Sequence, residues 1–370
     1  MKILEVHYST AWAGAERVVI DLCNELSKTN EIILCTIEDD TIPGKSYYRN
    51  ELLKSVEYIN LKCKSGNDVR GFYRLLKTIR DVKPDIVHAH TDALNLWLPS
   101  LFYHKAKYFH TIHSLADKRQ FSKWLTPVYK YFYRKRIQAI TISNICQQSY
   151  VKLYHINNAI QIDNGRSRMK PSPNIKLVEK EVIGYRFSGD TKIFVHVARC
   201  SKIKNEELLF KSFSRLYKEN KDCVLLVIGA NYDSPENKHL LEEATPNIHW
   251  LGLKDNVYDY LLNGDFFILS SLYEGLPISL LEAMSAGIIP ISTPAGGVSD
   301  VIKDRSIGYL SPSMDDEDFY NTIITALETC DSFNREGLIN YFQDNYSMKH
   351  CAELYLQAFS SKLCYKREKT

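Results

Sequence analysis

The sequence lacks the features that mark several special classes of protein. None of its apolar runs reaches the roughly 18 residues that a membrane-spanning helix needs, and Glu5 interrupts the first apolar stretch, where a secretory signal would continue. It has no low-complexity tract and no repeat at the spacing of solenoid proteins. Hydrophobic residues make up 45% of its 370 residues and charged residues 25%, which excludes disordered and collagen-like chains. We therefore expect a soluble, globular protein that is made and kept in the cytosol.

Paired cysteines and clustered metal ligands are missing as well. The nine cysteines occur singly, without a C-x-x-C pair or a histidine at zinc-ligand spacing, so we expect reduced and mostly buried thiols. Two acidic clusters, Glu38-Asp39-Asp40 and Asp315-Asp316, lie in polar contexts where solvated carboxylates and helix dipoles account for them. The residues alone give little support for a metal site.

Acidic residues are scarce in one part of the chain. Residues 101–170 contain 13 lysines and arginines against two acidic residues, a net charge of +11, whereas residues 171–370 have a net charge of −7. The formal charge of +3 for the whole chain conceals this gradient. The asymmetry predicts a polyanionic partner for one half of the molecule, either a membrane surface or a nucleic acid.

Length and hydrophobic pattern predict two domains. The chain is about twice the usual size of one domain, and its short apolar runs alternate with segments of helical period, which is typical of parallel sheets covered by helices. The predicted strands are 2–7, 31–37, 85–89, 108–112, 139–142, 193–198, 224–228, 248–251, 266–269 and 288–292. Segment 164–174, rich in Gly, Pro and Ser, predicts the linker. The last predicted helices are 315–330 and 348–363, and we expect the second of these to pack back on the first domain.

Segment 271–300 carries the most informative residues. A predicted strand ends near Ser270, a loop with Gly and Pro then carries Glu274, and a helix beginning near Ser279 carries Glu282. Both carboxylates are thus expected at the carboxyl end of a parallel strand, where open α/β sheets bind ligands. The adjoining backbone amides and the positive helix end suit a diphosphate or sugar hydroxyls. The loop residues in question are Gly275, Leu276, Pro277 and Ile278.

Two plainer interpretations of these glutamates stay open. Ser279 and Glu282 fit the S-x-x-E capping box, so that Glu282 would only cap its own helix. Independently, the plainer interpretation of Glu274, between Tyr273 and Gly275 on a loop, is a solvated turn residue.

The segment resembles the retaining glycosyltransferases of family 4, which have the GT-B fold. Glu274-Gly275-Leu276 and Glu282 match the family pattern E-G-[LF]-x-x-x-x-x-E. The flanking family elements are present as residues 283–291, A-M-S-A-G-I-I-P-I, and as Gly296-Gly297. The resemblance implies that Glu274 meets the transferred sugar and that Glu282 meets the ribose hydroxyls of the nucleotide.

Residues 198–205 resemble a second element of the family, a basic loop after the first strand of the second domain. The loop carries Arg199 and Lys204, while Ala198 and Cys200 depart from the family's Gly and Leu. Arginine binds two phosphate oxygens at once and lysine adds a point charge, so the pair suits the donor diphosphate. By itself, a basic loop before a helix is usually a solvated surface.

The first domain contains three further family resemblances. Loop 12–17 stands where the family has G-G-A-E-R and keeps only the second glycine, Gly14, which lets the backbone approach phosphates. His113 follows strand 108–112 at the position that faces the donor sugar in the family. The D-I-V-H-A-H run at 85–90 is chiefly a marker of the fold. Because the G-x-G-x-x-G fingerprint is absent, a nicotinamide enzyme is disfavoured.

Taken over nearly the whole chain, the resemblance implies two Rossmann-like domains facing across a cleft. Residues 1–165 would bind the acceptor, with helix 348–370 packing back on them, and residues 170–347 would bind a UDP- or GDP-sugar. No metal is implied, because cations and helix ends hold the diphosphate. Negative charge would develop on the departing diphosphate near Arg199, Lys204 and Gly14. Electrostatic stabilisation of this leaving group would be the main catalytic contribution. No covalent nucleophile is named, and the donor phosphate is a candidate proton acceptor.

Two other functions remain open at this point. One is another GT-B enzyme, such as a nucleotide-sugar epimerase or a phosphorylase, which would need no saccharide acceptor or would depend on phosphate. The other is a non-catalytic, membrane-associated assembly subunit, which the combined presence of Arg199, Lys204, Glu274 and Glu282 disfavours.

The basic segment 117–138 bears on the partner. Its cations are interleaved with aromatic residues, as in helices that lie in the headgroup region of anionic membranes. We therefore expect peripheral docking at the cytoplasmic membrane face and a lipid-linked saccharide acceptor for capsule, O-antigen or another exopolysaccharide. The alternative is a surface helix whose aromatics pack on the first domain. A nucleic-acid surface is disfavoured because no binding module is recognisable.

Overall fold

The computed structural model of the protein describes residues 1–65, 68–90, 94–116 and 125–361. The chain divides into two compact units. The first contains residues 1–167 together with the chain from Tyr346 onward, and the second contains Arg168–Asn345. Each unit is built on one sheet in which the paired strands are parallel, as the alternation of strands and helices predicts.

The first unit has a seven-stranded sheet in the order β3-β2-β1-β4-β5-β6-β7. Its strands are β1 (Lys2–His7), β2 (Glu31–Glu38), β3 (Val56–Cys63), β4 (Ile86–His90), β5 (Lys107–Ile112), β6 (Gln138–Thr141) and β7 (Ile160–Gln161). The helices between them are α1 (Gly14–Leu26), α2 (Val69–Val82), α3 (Leu94–Phe102), α4 (Thr126–Lys135) and α5 (Asn144–Tyr154). The central strands are buried along almost their whole length, which is the usual state of a parallel sheet covered by helices.

The second unit has a six-stranded sheet in the order β10-β9-β8-β11-β12-β13. Its strands are β8 (Lys192–Val197), β9 (Cys223–Ile228), β10 (Ile248–Trp250), β11 (Phe266–Leu269), β12 (Ile289–Ser292) and β13 (Tyr309–Leu310). Its helices are α6 (Ile175–Gly184), α7 (Glu206–Lys218), α8 (Lys238–Glu242), α9 (Val257–Asn263), α10 (Ile278–Ala286), α11 (Val298–Val301), α12 (Asp316–Thr329) and α13 (Arg335–Tyr346). All six residues of β9 are buried, because its C-V-L-L-V-I run faces helices on both sides of the sheet.

All ten predicted strands are present, and their ends lie within one residue of the prediction. Three strands have no clear signal in the sequence. β3 lies at the edge of its sheet and is only partly buried, so its polar and apolar residues do not alternate cleanly. β7 and β13 are two residues long, which is too short for a periodic pattern.

The last helix returns to the first unit. α14 (Met348–Ser360) follows α13, which the sequence pattern does not indicate, and lies against α1. The Lys107 ammonium donates a hydrogen bond to the carbonyl of Phe359 over 2.9 Å, and the Thr111 and Tyr355 hydroxyls are 3.0 Å apart. These contacts agree with the expected return of the terminal helix, although its predicted part from 362 to 370 lies outside the described residues.

The state of the cysteines is also visible in the described part of the chain. Eight cysteines are free thiols and seven of them are buried, as expected, while Cys364 lies outside the described residues. No described helix combines the length and the apolar character needed to cross a membrane.

A buried ion pair lies where the chain leaves the first unit and returns to it. Asp21 of α1 and Arg166 are each only 2% exposed and are joined by a charge-assisted hydrogen bond. Arg17 donates to the other oxygen of Asp21 over 2.8 Å. The Arg166 backbone exchanges hydrogen bonds with Tyr346 and Met348 at 2.9 and 3.0 Å. Asp21 therefore fixes Arg166 to α1, and Arg166 in turn holds the segment around Tyr346 and Met348 at which the chain re-enters the first unit.

Replacing Asp21 by alanine is expected to destabilise the protein by about 3–5 kcal/mol, because it removes the carboxylate that accepts from the buried Arg166 guanidinium. Urea unfolding at neutral pH measures the change. The matched control on the same helix is Glu25→Ala, whose ion pair with Lys28 is partly exposed and should cost less than about 1 kcal/mol. Equal losses in the two variants would show that the buried pair has no special role.

Candidate active site

The strand order of the second sheet changes direction between β8 and β11. Consecutive strands run outward from β8 to one edge through β9 and β10, and from β11 to the other edge through β12 and β13. In open α/β sheets ligands bind at such a switch point, outside the carboxyl ends of the strands. Arg199 and Lys204 follow β8, and Glu274 follows β11. The fold therefore brings these three predicted residues to the same switch point.

Glu274 and Lys204 are in direct contact. The Lys204 ammonium donates to Oε1 of Glu274 over 2.5 Å, and the Ser271 hydroxyl donates to the same oxygen over 2.7 Å. The Glu274 residue is 9% exposed, so the interpretation as a solvated turn residue is wrong. Ser271 is absent from the predicted site, because a single serine at a strand end carries no distinctive signal.

Backbone hydrogen bonds hold the two loops side by side. The Ser270 hydroxyl donates to the carbonyl of Lys204 over 2.9 Å, and the Leu272 N–H donates to the carbonyl of Ile203 over 2.8 Å. The contact between Lys204 and Glu274 is thus supported by the backbone on both sides, which limits the freedom of the two charged groups.

The paired glycines predicted from the sequence lie against the backbone of Glu274. The Gly297 N–H donates to the Glu274 carbonyl over 3.0 Å. Gly296 has a φ of +58°, and a Cβ built on it would lie 2.2 Å from the same carbonyl oxygen. Any side chain at Gly296 would therefore displace the loop that carries Glu274.

Helix α10 begins one residue before the expected start. Its N-cap is Pro277, with no side-chain hydrogen bond at the cap, so Ser279 is the second helical residue and the S-x-x-E capping box is not formed. Glu282 is half-buried in the second turn of this helix. Pro277 is expected from the sequence among the backbone amides that bind the ligand, and this is wrong because proline has no N–H. Its carbonyl accepts a hydrogen bond from the Leu280 N–H instead.

The loop after β8 borders a polar cavity of about 1100 Å³ within the second unit. Arg199 lines it and is exposed, and it makes no ion pair with the described part of the chain. The loop is held by the Cys200 N–H, which donates to Ala230 over 2.9 Å. Gly229 permits this approach, since a Cβ there would lie 1.8 Å from the carbonyl oxygen of Ala198. The sequence contains only a lone glycine as a signal for this contact.

Glu206 is a buried acid at the start of α7, beside this cavity. It is 3% exposed, and its Oε2 accepts the Ser201 N–H over 3.3 Å. Burial raises the pKa of Glu206 to about 7, although backbone hydrogen bonds and the charge of Lys204 act in the opposite direction. A carboxyl group whose pKa lies near neutrality therefore follows directly after the loop that carries Arg199 and Lys204.

The predicted residues of the first unit lie at the carboxyl edge of its sheet. Gly14 is exposed and is the first residue of α1, where the N-cap Ala13 offers no side-chain partner to the helix. His113 is half-buried directly after β5, and its Nε2 lies 3.0 Å from Nδ1 of His90. Gly14 and His113 belong to different loops, which follow β1 and β5 respectively.

Glu5, His88 and His90 form a cluster in the core of the same sheet. Within the described residues this is the one group that offers three metal-ligating atoms. His88 Nδ1 and His90 Nε2 each lie 2.8 Å from Oε2 of Glu5. Donor atoms bound to one zinc ion are about 3.3 Å apart, so the observed spacing is shorter than that of zinc ligands. His90 Nε2 is the atom that is hydrogen-bonded to Glu5. The D-I-V-H-A-H run at 85–90 is expected only as a fold marker, although Glu5 within an apolar strand is a signal of a buried polar network.

Helix α4 is the part of the basic segment 117–138 whose aromatic side chains can be compared with the expectation. Residues 117–124 lie outside the described residues. In α4, the rings of Tyr129, Phe132 and Tyr133 are buried in the core, because helical spacing places positions 129, 132 and 133 on one face. The aromatic face of α4 is thus turned inward, as the packing alternative states, and Tyr131 is the aromatic residue of α4 that is exposed, at 49%.

Similarity to proteins of known structure defines the class of fold. HepE of Anabaena, crystallised with UDP, is similar with a TM-score of 0.80 and 16% identity, over 98% of this chain and 100% of that one. The protein therefore has the GT-B glycosyltransferase fold.

Two family models match most of the sequence. "Glycosyltransferase Family 4" matches residues 12–165, and "Glycosyl transferases group 1" matches residues 179–339. The protein belongs to the family 4 glycosyltransferases, as the motifs predict, and is a transferase enzyme.

Relatives from a bacterium and an archaeon are similar to this chain. The UDP-Gal:alpha-D-GlcNAc-diphosphoundecaprenol alpha-1,3-galactosyltransferase of Escherichia coli is 24% identical over 89% of this chain and 88% of its own length. An uncharacterized glycosyltransferase of Methanocaldococcus jannaschii is 24% identical over 60% of this chain, and the match spans 58% of that relative.

Glu206→Gln is expected to flatten the dependence of stability on pH. Because the folded-state pKa is raised from 4.5 to about 7, folding favours the protonated acid. This contribution is complete below pH 4.5 and is lost as the pH rises through 7. Between pH 4.5 and pH 8 the free energy of unfolding should fall by about 3 kcal/mol more in the wild type than in the variant.

Urea unfolding at the two pH values measures this difference. The control is Glu207→Gln, which changes the neighbouring glutamate, whose side chain is 80% exposed. It should keep the wild-type dependence on pH, and equal flattening by both variants would contradict the assignment to Glu206.

Proposed function

We propose that this enzyme transfers a sugar, with retention of anomeric configuration, from a UDP- or GDP-sugar to a lipid-linked saccharide in cell-envelope polysaccharide synthesis. The observation that carries the proposal is the contact of Lys204 and Ser271 with Glu274 at the switch point between β8 and β11. The Glu274 carboxylate can accept hydrogen bonds from the sugar, and the cations of Lys204 and Arg199 can bind the charged leaving group.

Glu274 is suited to a sugar hydroxyl by the way its two oxygens are used. Oε1 accepts both protein hydrogen bonds, whereas Oε2 has no hydrogen bond in the described part of the chain. A carboxylate oxygen accepts hydrogen bonds from hydroxyl groups and donates none. Glu274 would therefore orient the sugar through Oε2 while Lys204 and Ser271 hold the carboxylate in place.

Arg199 and Lys204 are suited to the diphosphate. Departure of the nucleotide concentrates negative charge on phosphate oxygens, and fixed cations stabilise this charge more in the transition state than in the substrate. Arg199 is exposed and free of an ion pair in the described part of the chain, so it can bind two phosphate oxygens. These two cations would provide the charge that a metal ion provides in other transferases, and we propose that the reaction needs no metal.

The remaining roles in the proposal follow the family resemblance. Glu282 would bind the ribose hydroxyls, the N–H groups of Gly275, Leu276 and Ile278 would line the donor site, and Gly14 would offer backbone amides to the phosphates. His113 would face the donor sugar. The choice of a uridine nucleotide is supported by the UDP bound to HepE and by the UDP-Gal in the name of the E. coli relative.

A lipid-linked acceptor is supported by the surface of the first unit. An apolar groove of about 470 Å³ lies among α2, α3 and α4, with Trp97 and Phe132 in its lining. Val69 and Tyr73 on its rim are each 66% exposed. Helices α2 and α4 together carry seven cations and one acidic residue.

Apolar surface bordered by cations favours the headgroup region of an anionic membrane. The diphosphoundecaprenol in the name of the E. coli relative is consistent with this acceptor class. We therefore propose that the enzyme is peripheral at the cytoplasmic membrane face.

Glu282→Ala and Glu274→Gln are expected to separate nucleotide binding from transfer. One nucleoside diphosphate among UDP, GDP and ADP should raise the wild-type Tm, whereas CMP and NAD should not. Glu282→Ala should reduce this shift because the ribose contact is lost. Glu274→Gln should keep the shift but lower kcat with the matching nucleotide sugar about 100-fold.

The control for both variants is Glu242→Ala, which changes an exposed glutamate of α8. It should behave as the wild type in both assays. A product whose anomeric configuration is inverted by NMR would contradict retention, and a Tm shift that survives Glu282→Ala would contradict the ribose role.

Reversing two charges of α4 is expected to weaken membrane binding. Each basic residue near an anionic surface contributes about 1 kcal/mol, so Lys130→Glu/Arg134→Glu should lower the affinity for phosphatidylglycerol vesicles at least tenfold. Vesicle sedimentation at low salt measures this. Lys176→Glu/Lys180→Glu on α6 makes the same change of net charge in the second unit and should have little effect. Equal losses in both double variants, or no wild-type binding, would contradict docking through α4.

A further inference from the structure

A line of hydrogen-bonded side chains in the first unit ends at His113. Oε2 of Glu5 lies 2.8 Å from Nε2 of His90, and Nδ1 of His90 lies 3.0 Å from Nε2 of His113. Glu5 and His90 are 0% and 1% exposed, whereas His113 is half-buried. The line therefore connects the interior of the sheet to the residue at its carboxyl edge.

Rigid strands hold the two inner members in place. Glu5 is the fourth residue of β1, where it pairs with His88 of β4, and His90 is the last residue of β4, where it pairs with Thr111 of β5. The returning helix α14 closes the cluster from one side, since the Tyr355 ring lies 5.2 Å from the ring of His88. The Tyr355 hydroxyl also contacts Thr111, whose hydroxyl is 2.7 Å from His88 Nε2.

The charge states of Glu5 and His90 determine where the protons lie. Burial alone would raise the pKa of Glu5, but its interactions with His88 and His90 outweigh burial and hold that pKa well below its usual value. Burial, together with the charge of His88, lowers the pKa of His90 despite its contact with Glu5. At neutral pH the glutamate is therefore ionised and His90 is neutral.

An ionised carboxylate only accepts hydrogen bonds, and a neutral imidazole carries one N–H. The hydrogen of His90 must then lie on Nε2, where it is donated to Glu5. Its Nδ1 presents a lone pair and accepts a hydrogen bond from Nε2–H of His113. A carboxylate can fix the tautomer of a functional histidine directly, and here it does so through a second histidine.

We propose that Glu5 and His90 are positioning residues that hold the ring of His113 in one orientation with its proton on Nε2. The inference rests on the proposed function in one respect, the placement of His113 at the donor sugar. Neither Glu5 nor His90 touches the substrate in this proposal. Their effect on catalysis is exerted through the ring of His113.

The tautomer can be measured without any substrate. In protein labelled with ¹⁵N-histidine, long-range ¹H–¹⁵N spectra distinguish the nitrogen that carries hydrogen from the one that does not. The protein has 11 histidines, and the signals of His113 are identified by their loss in His113→Asn. We expect the Nε2–H form in the wild type and a mixture of both tautomers in Glu5→Gln, because the amide can either accept from His90 or donate to it.

Turnover tests whether the orientation matters for catalysis. Glu5→Gln should lower kcat about tenfold, in the range seen when outer-shell partners of a functional histidine are removed, with the KM for the donor changed less than about threefold. The matched control is His110→Gln, which alters a buried histidine of β5 whose Nδ1 contacts the Tyr133 hydroxyl. It should leave both the His113 tautomer and kcat unchanged.

Several results would overturn the proposal. These are a wild-type His113 with its proton on Nδ1, an unchanged tautomer in Glu5→Gln, or an altered tautomer with unchanged kcat. One equivalent of zinc or iron in the purified protein, lost in Glu5→Gln, would replace the hydrogen-bonded arrangement by a metal site. If the wild type transfers no sugar from any donor tested, the proposed function fails, while the spectrum still decides the tautomer.

Discussion

The parallel direction of the strands is the constraint on which the candidate site depends. In a parallel sheet every strand ends at the same edge, so the loops that follow the strands meet there whatever their distance along the chain. Glu274 and Lys204 are 70 residues apart in the sequence, yet their side chains are in contact because β8 and β11 are neighbours. The same geometry brings His90 to His113 across β4 and β5. Each contact is a consequence of strand order rather than of local sequence.

Buried carboxylates recur at the points that organise each unit. Asp21 accepts hydrogen bonds from Arg166 and Arg17, one oxygen of Glu5 accepts from His90, and one oxygen of Glu274 accepts from Lys204 and Ser271. A buried charge that loses its partner is strongly destabilising, so each partner specifies one arrangement of the chain around it. Glu206 is different, because burial without a strong partner shifts its pKa toward neutrality instead. A buried acid in this chain is thus either ionised and paired with a basic or polar side chain, or has a pKa raised toward neutrality.

Close approach of backbones explains the glycines that serve this site. Gly296 and Gly229 each occupy a place where a Cβ would lie within 2.2 Å of a carbonyl oxygen of another loop. The first contact sets the position of the loop of Glu274, and the second sets that of the loop of Arg199. Such glycines determine the path of a loop without touching a ligand themselves, which is why their role is visible only when the facing segment is known.

The sequence by itself determines the two parallel-sheet units, the ten predicted strands and the family, because apolar periodicity and the motif around Glu274 are local properties. It also indicates that Arg199, Lys204 and Glu274 belong to ends of strands. The tertiary structure decides what each of them contacts. Ser271, Gly229 and the line from Glu5 to His113 carry almost no local signal, since a serine, a glycine or a histidine gains its role only from a partner tens of residues away. The inward turn of Tyr129, Phe132 and Tyr133 is likewise decided by the core against which α4 packs, because one amphipathic pattern is compatible with either a membrane or a protein interior.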